Sequence, residues 1–183
     1  MALEVRMGIL LVILLLGGGG VALVLWLNAK REERDKYYAA ARNILKDEFL
    51  RIKLENPVKS SGALGDTGGQ KVMVYLKTIG IKPQKRYVFN PEREIPFGRQ
   101  QDESGVFLNE ATVSQRHCRI FLCDAYVWLE DLRSSNGTGI KRGLFKNYWL
   151  ASGQQIALRS GDVLIIGSAK LKVKLFVFDT VYM

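Results

Sequence analysis

The chain has 183 residues, a formal net charge of +9 at pH 7, two cysteines and one histidine. That length allows one domain with an appendage, and so few cysteines and histidines fit neither a disulfide framework nor a metal-ligand pattern. From residue 71 onward, 17 Lys/Arg against 10 Asp/Glu leave +7, which suits acidic or phosphorylated partners. No basic-aromatic stacking pattern or recognition helix supports nucleic acid as a partner.

The first 28 residues contain an uncharged apolar run from residue 7 to residue 27. As a helix, these 21 residues are about 31 Å long, enough to cross a hydrocarbon core of about 30 Å. A cleaved signal peptide is the alternative, although its apolar core is normally shorter and its front end more basic. We predict a single-pass transmembrane anchor over residues 1–28.

Basic residues flank this run unevenly, with Arg6 before it and six Lys/Arg between residues 30 and 46. The positive-inside rule therefore predicts a cell-membrane protein with its N-terminus outside and residues 71–183 in the cytoplasm. Within the run, Gly17–Gly20 allow close approach of another helix. Other transmembrane subunits are accordingly expected partners, with an ordinary glycine-tolerant anchor as the equal alternative.

Residues 29–54 predict a juxtamembrane helix that ends before Pro57. Its apolar residues fall on one face, at spacings of three and four: Tyr38, Ala41, Leu45, Phe49 and Ile52. This stripe can lie on a membrane, pack on a partner or cover part of the domain, and its mixed charges favour packing against protein. Residues 55–70, rich in Gly, Ser and Pro, predict a flexible linker.

Residues 71–183 show short β-like runs at regular turn spacing, which predicts an all-β antiparallel sandwich. The predicted strands are residues 72–76, 86–89, 94–97, 105–108, 118–122, 126–130, 155–158, 162–165 and 170–176. In the last of these, lysines at every second position are expected to point outward. Cys118 and Cys123 fall on opposite faces of one strand and are interpreted as buried structural thiols.

Three short motifs lie where turns are expected: Phe97-Gly98-Arg99, Val113-Ser114-Gln115-Arg116-His117 and Asp131 to Thr138. They supply a guanidinium fork, hydroxyl and amide donors, and glycines that allow close backbone approach, which is what an oxyanion requires. Each motif alone is more simply explained by a surface ion pair or a tight hairpin turn.

The order and spacing of these motifs resemble the forkhead-associated (FHA) domain, as does the run from Leu158 to Gly167, LRSGDVLIIG. The resemblance covers residues 72–177 and implies an FHA-type β-sandwich that binds phosphothreonine-containing proteins. It departs from the family at Gly139, where a bulky residue is usual, and at residues 141–143, outside the expected phosphate pocket.

The resemblance also implies roles for individual residues. Phosphopeptide binding falls to Arg99 and Ser114 at the phosphate, Ser135 beside it, Asn136 on the peptide backbone and Gln115 at a selectivity position. Loop shaping falls to a second set: Gly98, His117, Gly137 and Thr138.

Catalysis is not expected, because Ser114 and His117 lack an orienting acid, a nucleophile elbow and an oxyanion hole. No phosphate loop, metal cluster or cofactor fingerprint is present in the sequence, so no cofactor is expected. The leading hypothesis is a membrane-anchored phosphothreonine reader. The alternative is a structural or assembly subunit of a membrane complex, in which the sandwich is a docking cap that acts without phosphate.

Overall fold

The computed structural model describes the backbone of residues 2–55, 69–101 and 104–179, and the helix side chains from residue 20 to residue 48. The chain divides into two compact units, residues 1–39 and residues 40–183. The division falls inside the helix, not at the predicted linker over residues 55–70, most of which lies outside the described residues.

The N-terminal part is one continuous helix, α1 (Ala2–Glu55), where two segments meeting at residues 28 and 29 were expected. Within the part of the chain that the structure describes, no helix is long and apolar enough to cross a membrane. The predicted anchor is therefore not supported. Its residues 7–19, including Gly17 to Gly19, lie outside the helix positions whose side chains are described.

The second unit begins with the last turns of α1, and these turns are joined to the β-domain. Ala41 and Leu45 are buried, and the Glu48 carboxylate accepts a hydrogen bond of 2.9 Å from Nδ2 of the buried Asn90. Glu48 also lies 3.4 Å from the Arg93 guanidinium. The apolar stripe was predicted to lie on a membrane, pack on a partner or cover part of the domain, and the burial of Ala41 and Leu45 fits the last of these. The side chains of Phe49 and Ile52 in that stripe lie outside the described residues.

Eleven strands follow within the described residues: β1 (Gln70–Thr78), β2 (Arg86–Phe89), β3 (Ile95–Gly98), β4 (Val106–Phe107), β5 (Cys118–Cys123), β6 (Tyr126–Asp131), β7 (Thr138–Arg142), β8 (Lys146–Leu150), β9 (Gln155–Ala157), β10 (Val163–Ile166) and β11 (Ala169–Asp179). They form a six-stranded sheet, β2-β1-β11-β10-β7-β8, and a five-stranded sheet, β4-β3-β5-β6-β9. The predicted β-sandwich is confirmed, but it is not purely antiparallel, since β3 and β4 pair in parallel.

The core lies between the two sheets and follows the two-residue alternation of the strands. On β11, Leu171 and Val173 are buried in this core while Lys170 and Lys172 are exposed, as predicted. From Phe176 onward the buried side changes to the opposite face of the strand. At this end Phe176 and Phe178 are buried while Val177 is exposed, so the face of the strand that is covered is the one that carries the lysines further back.

The sequence did not predict β7 and β8, which lie between residues 138 and 150. In the structure Gly139 lies opposite Trp149 on β8, and a Cβ at Gly139 would stand 3.1 Å from that indole ring. The tryptophan therefore occupies the space that a bulkier residue at position 139 would need, and the strand forms without a side chain there.

The two cysteines do occupy opposite faces, but only Cys118 is buried; Cys123 is exposed at the end of β5. The interpretation of both as buried thiols is wrong for Cys123. Burial raises the pKa of the Cys118 thiol, so that group is uncharged near neutrality.

Candidate functional site

Three loops meet at one end of the sandwich, and they contain the three sequence motifs. The β3–β4 loop covers residues 99–105, the β4–β5 loop residues 108–117 and the β6–β7 loop residues 132–137. Residues 102 and 103 of the first loop lie outside the described residues. The loops are held together by direct hydrogen bonds, which fix the spacing of the candidate side chains.

The first two loops are joined through their main chains. The backbone N–H of Arg99 donates to the carbonyl of Ser114 at 2.9 Å, and that of Gln100 donates to the carbonyl of Gln115 at 3.1 Å. A Cβ at Gly98 would lie only 2.0 Å from the Gln115 carbonyl oxygen. Glycine is therefore required at position 98 for the two loops to approach this closely.

The only histidine in the chain links the second and third loops. His117 is fully buried; its Nδ1 lies 3.2 Å from the backbone N–H of Ser114, and its Nε2 lies 3.1 Å from the carbonyl oxygen of Gly137. A backbone N–H can only donate, so Nδ1 accepts and Nε2 carries the proton donated to Gly137. The neutral imidazole thus bridges both loops.

The hydroxyl groups of the second and third loops are adjacent. Ser114 Oγ accepts a hydrogen bond of 3.1 Å from the Ser135 backbone N–H and lies 3.5 Å from Ser135 Oγ. Beside them, Nδ2 of Asn136 donates to the carbonyl of Thr112 at 2.7 Å. This bond fixes the exposed Asn136 amide above the second loop.

A buried carboxylate shapes the third loop from below. Asp131 is fully buried and accepts three hydrogen bonds, from the backbone N–H and the hydroxyl of Ser134 and from the hydroxyl of Thr138, at 2.9, 2.6 and 2.6 Å. The backbone between them turns sharply, with φ of 60° at Arg133 and 73° at Gly137. Sequence reasoning gave Asp131 no role; the signal was an acidic residue three positions before a serine, a pattern typical of side-chain-capped turns.

Arg99 extends from this framework into solvent. Its side chain is exposed and forms no hydrogen bond or ion pair with any of the described residues. Arg119 shows the contrast, because its guanidinium donates hydrogen bonds to Glu130 and Glu94. The hydrogen bond to Glu130 raises the pKa of Arg119 despite partial burial. Arg116 and Arg133 are also exposed around the loops, so the end of the sandwich is electropositive.

A shallow groove of about 360 Å³ lies beside the loop cluster. Gly98, Gln100 and Gln115 line it together with Glu94 and Arg116, whereas Arg99 and the two serines do not. The groove therefore extends the surface from the selectivity position Gln115 and does not coincide with the predicted phosphate position.

The run from Leu158 to Gly167 supports the opposite end of β7. Asp162, which is buried, receives both Nε and an Nη of Arg142, at 2.9 and 2.7 Å, and the backbone N–H of Arg159 at 2.8 Å. The hydrogen bond to Asp162 is the main reason that the pKa of Arg142 is raised. This forked ion pair ties β7 to the turn before β10, so the acidic residue of the motif is structural.

The structure thus brings together all five predicted phosphopeptide-binding residues and the four predicted loop-shaping residues. Their binding roles stay predictions, because the geometry shows proximity and not a ligand. Among the described residues, no three His, Cys, Asp or Glu side chains cluster as metal ligands.

Comparison with known proteins gives matches for this part of the chain. Among solved structures, an FHA domain from a study of phosphothreonine-dependent FHA interactions is 28% identical, with 56% of this chain and 95% of that one covered and a TM-score of 0.45. The FhaA FHA domain, crystallised with an intracellular domain of a second protein, is 29% identical over 55% and 99%, with a TM-score of 0.45. The FHA domain of CT664 from Chlamydia trachomatis is 19% identical over 56% and 96%, with a TM-score of 0.46.

A search of curated protein sequences finds no significant match. The family model for the FHA domain matches residues 95–167, about two fifths of the chain, from the start of β3 to the turn after β10. This segment contains all three loops and the forked ion pair below them. The similarity to the FHA domain is therefore shown for residues 95–167 of the chain.

Proposed function

We propose that this protein is a phosphothreonine-peptide binding module that recruits phosphorylated proteins to the place in the cell where it is located. One observation carries the proposal. Three loops joined by hydrogen bonds place the hydroxyls of Ser114 and Ser135 within 3.5 Å of each other, next to an exposed Arg99 that no described residue neutralises. Solved FHA domains similar to this one have been studied for phosphothreonine-dependent interactions.

The chemistry of these groups matches a phosphate monoester. A guanidinium presents donors in a planar fork that can hold two phosphate oxygens at once. The serine hydroxyls and the Ser135 backbone N–H supply short neutral donors. Each charge-assisted hydrogen bond contributes about 1.5–3 kcal/mol, so a bidentate contact with Arg99 supplies most of the discrimination between phosphorylated and unphosphorylated peptides.

Asn136 and Gln115 serve the peptide and not the phosphate. The Asn136 amide is held by Thr112, which leaves its exposed carbonyl oxygen directed to a peptide N–H. Gln115 borders the groove beside Arg116 and Glu94, so residues flanking the phosphothreonine are read there. Because the groove carries both charge signs, selectivity comes from polar side chains of the peptide and not from its net charge.

The same geometry supports a binding protein over an enzyme. Hydrolysis through Ser114 would require His117 as its general base. Both nitrogens of His117 are instead committed to the Ser114 backbone N–H and the Gly137 carbonyl, and the ring is fully buried. His117 therefore acts as a spacer between loops, and no turnover of bound phosphopeptide is expected in a phosphate-release assay.

The proposal is tested by titrating the full-length protein in detergent with a phosphothreonine peptide library and with the matching unphosphorylated peptides. Arg99→Ala should weaken phosphopeptide binding more than 100-fold, since about 3 kcal/mol or more is lost. Arg159→Ala, which removes an exposed arginine near the other end of the domain, should bind like the wild type. Equal affinity of the wild-type protein for phosphorylated and unphosphorylated peptides would refute the proposal.

Placement at a membrane is a separate proposal that depends on sequence alone. The uncharged run over residues 7–27, with basic residues after it, favours a single-pass protein with its FHA domain in the cytoplasm. Resistance to carbonate extraction from native membranes, together with protease access to the FHA domain from the cytoplasmic side only, is the expected result. Carbonate-soluble protein would contradict it.

The alternative function is a subunit of a larger membrane assembly, joined through the Gly17–Gly20 face. Gentle detergent extraction separates the two functions. Stoichiometric partners that remain bound to the Arg99→Ala variant favour the assembly subunit, whereas partners lost with that substitution favour the phosphopeptide reader.

A further inference from the structure

The turn between β7 and β8 carries the two most exposed large hydrophobic side chains in the described part of the chain. Leu144 is 80% exposed and Phe145 is 90% exposed. They follow Gly143, whose φ of 65° closes the turn. Two adjacent apolar side chains at the tip of a hairpin are costly to leave in water, so the tip is expected to meet an apolar phase.

The surroundings of this tip are basic. Lys141 and Lys146 lie on the two strands of the hairpin, and both are exposed. Lys172 lies on the same outward face as Lys141, with Val163 paired to both across β10. None of these three lysines forms an ion pair or hydrogen bond with the described residues.

On the face that carries Lys170, Lys172 and Lys174, the described strands of the six-stranded sheet have no acidic side chain, and Asp179 at the end of β11 is on the other face. The register of this sheet even sets Lys172 directly opposite Lys77, and Lys77 opposite Arg86. Like charges that face each other across strands lower the stability of a sheet. On this face Lys141 and Lys172 make no ion pair or hydrogen bond with the described residues, and an anionic partner would offset their charge.

We propose that the β7–β8 hairpin tip, formed by Leu144 and Phe145 with Lys141, Lys146 and Lys172 around it, inserts into the interface of an anionic lipid bilayer. The apolar side chains enter the boundary between headgroups and acyl chains, and the lysines contact anionic headgroups. A protein partner fits less well. The tip is convex and small, whereas a stable protein interface buries about 800 Å² on each partner.

The insertion would orient the recognition loops. Residues 135–137 precede β7 and the hairpin tip follows it, so the two lie at opposite ends of this strand. The five residues of β7 separate them by roughly 17 Å at about 3.4 Å per residue. With the tip in the lipid, Arg99 and the serines point away from the membrane, toward soluble phosphorylated partners.

The test uses the full-length protein reconstituted in vesicles of phosphatidylcholine, alone or mixed with phosphatidylglycerol. In a Cys123→Ser background, an environment-sensitive fluorophore is attached at Leu144→Cys or, as a control, at Ala151→Cys, which is exposed near the opposite end of the domain. Spin-labelled lipids should quench the probe at position 144 in anionic vesicles, and they should quench neither probe in neutral ones. Because every sample contains the N-terminal apolar run, that run cannot produce the difference.

Substitutions distinguish insertion from simple proximity. Phe145→Asp, and Lys141→Glu combined with Lys146→Glu, should reduce quenching at position 144 to its level in neutral vesicles. Lys82→Glu, in the loop after β1, should leave it unchanged. Thermal unfolding of each variant shows that the domain remains folded.

Three results would overturn the proposal: no lipid-dependent quenching at position 144, equal quenching in neutral vesicles, or quenching that persists in Phe145→Asp. Protection of the probe by a second copy or by a soluble protein in the absence of lipid would assign the tip to a protein interface, and would also overturn it. Phosphopeptide affinity is measured separately in detergent, so failure of lipid insertion leaves the proposed reading function intact.

Discussion

Gly98→Ala tests whether the close approach of two loops builds the site. The added Cβ would lie 2.0 Å from the Gln115 carbonyl oxygen, about 1 Å inside the shortest contact that a real Cβ shows. The obstructing atom belongs to the backbone, so no side-chain rotation can relieve the overlap. The β4–β5 loop must move away from β3, and Ser114 moves with it.

The cost follows from the hydrogen bonds that this movement breaks. The bonds from the Arg99 and Gln100 backbone N–H groups, of 2.9 and 3.1 Å, are each worth about 1 kcal/mol net. The free energy of unfolding should therefore fall by about 2 kcal/mol, or by up to roughly 4 kcal/mol if the separated groups remain buried. Since Arg99 and Ser114 would no longer be held next to each other, phosphopeptide affinity should also fall by more than 10-fold.

The assay pairs chemical unfolding, followed by tryptophan fluorescence, with peptide titration under conditions in which the variant is folded. Gly143→Ala is the matched control. Its φ is 65° and no atom lies within 4 Å of the added Cβ, so it should lose about 1 kcal/mol from backbone strain and keep its affinity. Wild-type affinity in Gly98→Ala, with no greater loss of stability than in Gly143→Ala, would refute the reasoning.

Three further variants or reagents probe the surrounding framework. Asp131→Ala removes the acceptor of three hydrogen bonds and should lower the free energy of unfolding by about 3–5 kcal/mol, whereas Thr138→Val should lower it by about 1 kcal/mol. Equal losses in denaturant titrations would contradict a central role for the carboxylate. Arg142→Met leaves the buried Asp162 carboxylate without its ion-pair partner. It should lower the free energy of unfolding by about 3 kcal/mol without changing phosphopeptide affinity. Weaker binding by a folded Arg142→Met protein would show that the ion pair affects the loops. Iodoacetamide should modify Cys123 at pH 8 but modify Cys118 only in denaturant, because burial raises the pKa of the latter thiol; mass spectrometry of the folded protein showing two adducts would disprove this.

Some of the strands that the sequence predicted show side-chain alternation that is set by burial between two sheets. β5 and β6, for example, alternate buried and more accessible positions, and a two-residue period is visible without knowledge of their neighbours. β8 could not be predicted in this way, since four of its five residues are exposed at the sheet edge. Its place depends on pairing with β7, which is a tertiary interaction.

The loop cluster was predicted from the resemblance of its motifs to the FHA domain, since each motif alone had a simpler explanation. Gly98, His117 and the Asn136-Gly137 pair are local requirements of tight backbone approach, so they leave a mark in the sequence. The sequence signal for Asp131 was weaker, because the three groups that donate to it are brought together only when the β6–β7 loop folds back over β6. The pairing of Arg142 with a carboxylate 20 residues away depends on strand order, which residue pattern alone does not give.

The hydrogen bonds within the cluster bear directly on how a phosphate would be bound. Contacts between the loops use main-chain groups, the His117 ring and the Asn136 amide, so the loops are positioned before any ligand arrives and little conformational entropy is lost on binding. Two contacts use donors that a phosphate oxygen would also need: the 3.5 Å contact between the Ser114 and Ser135 hydroxyls and the neutral bond from the Ser135 N–H to Ser114 Oγ. Binding would exchange that neutral bond for a charge-assisted one, while Arg99 would give up no hydrogen bond or ion pair with the described residues. In the proposed binding mode, the affinity for phosphate depends mainly on the Arg99 guanidinium, and the geometry of the site depends on Gly98, His117 and the buried Asp131.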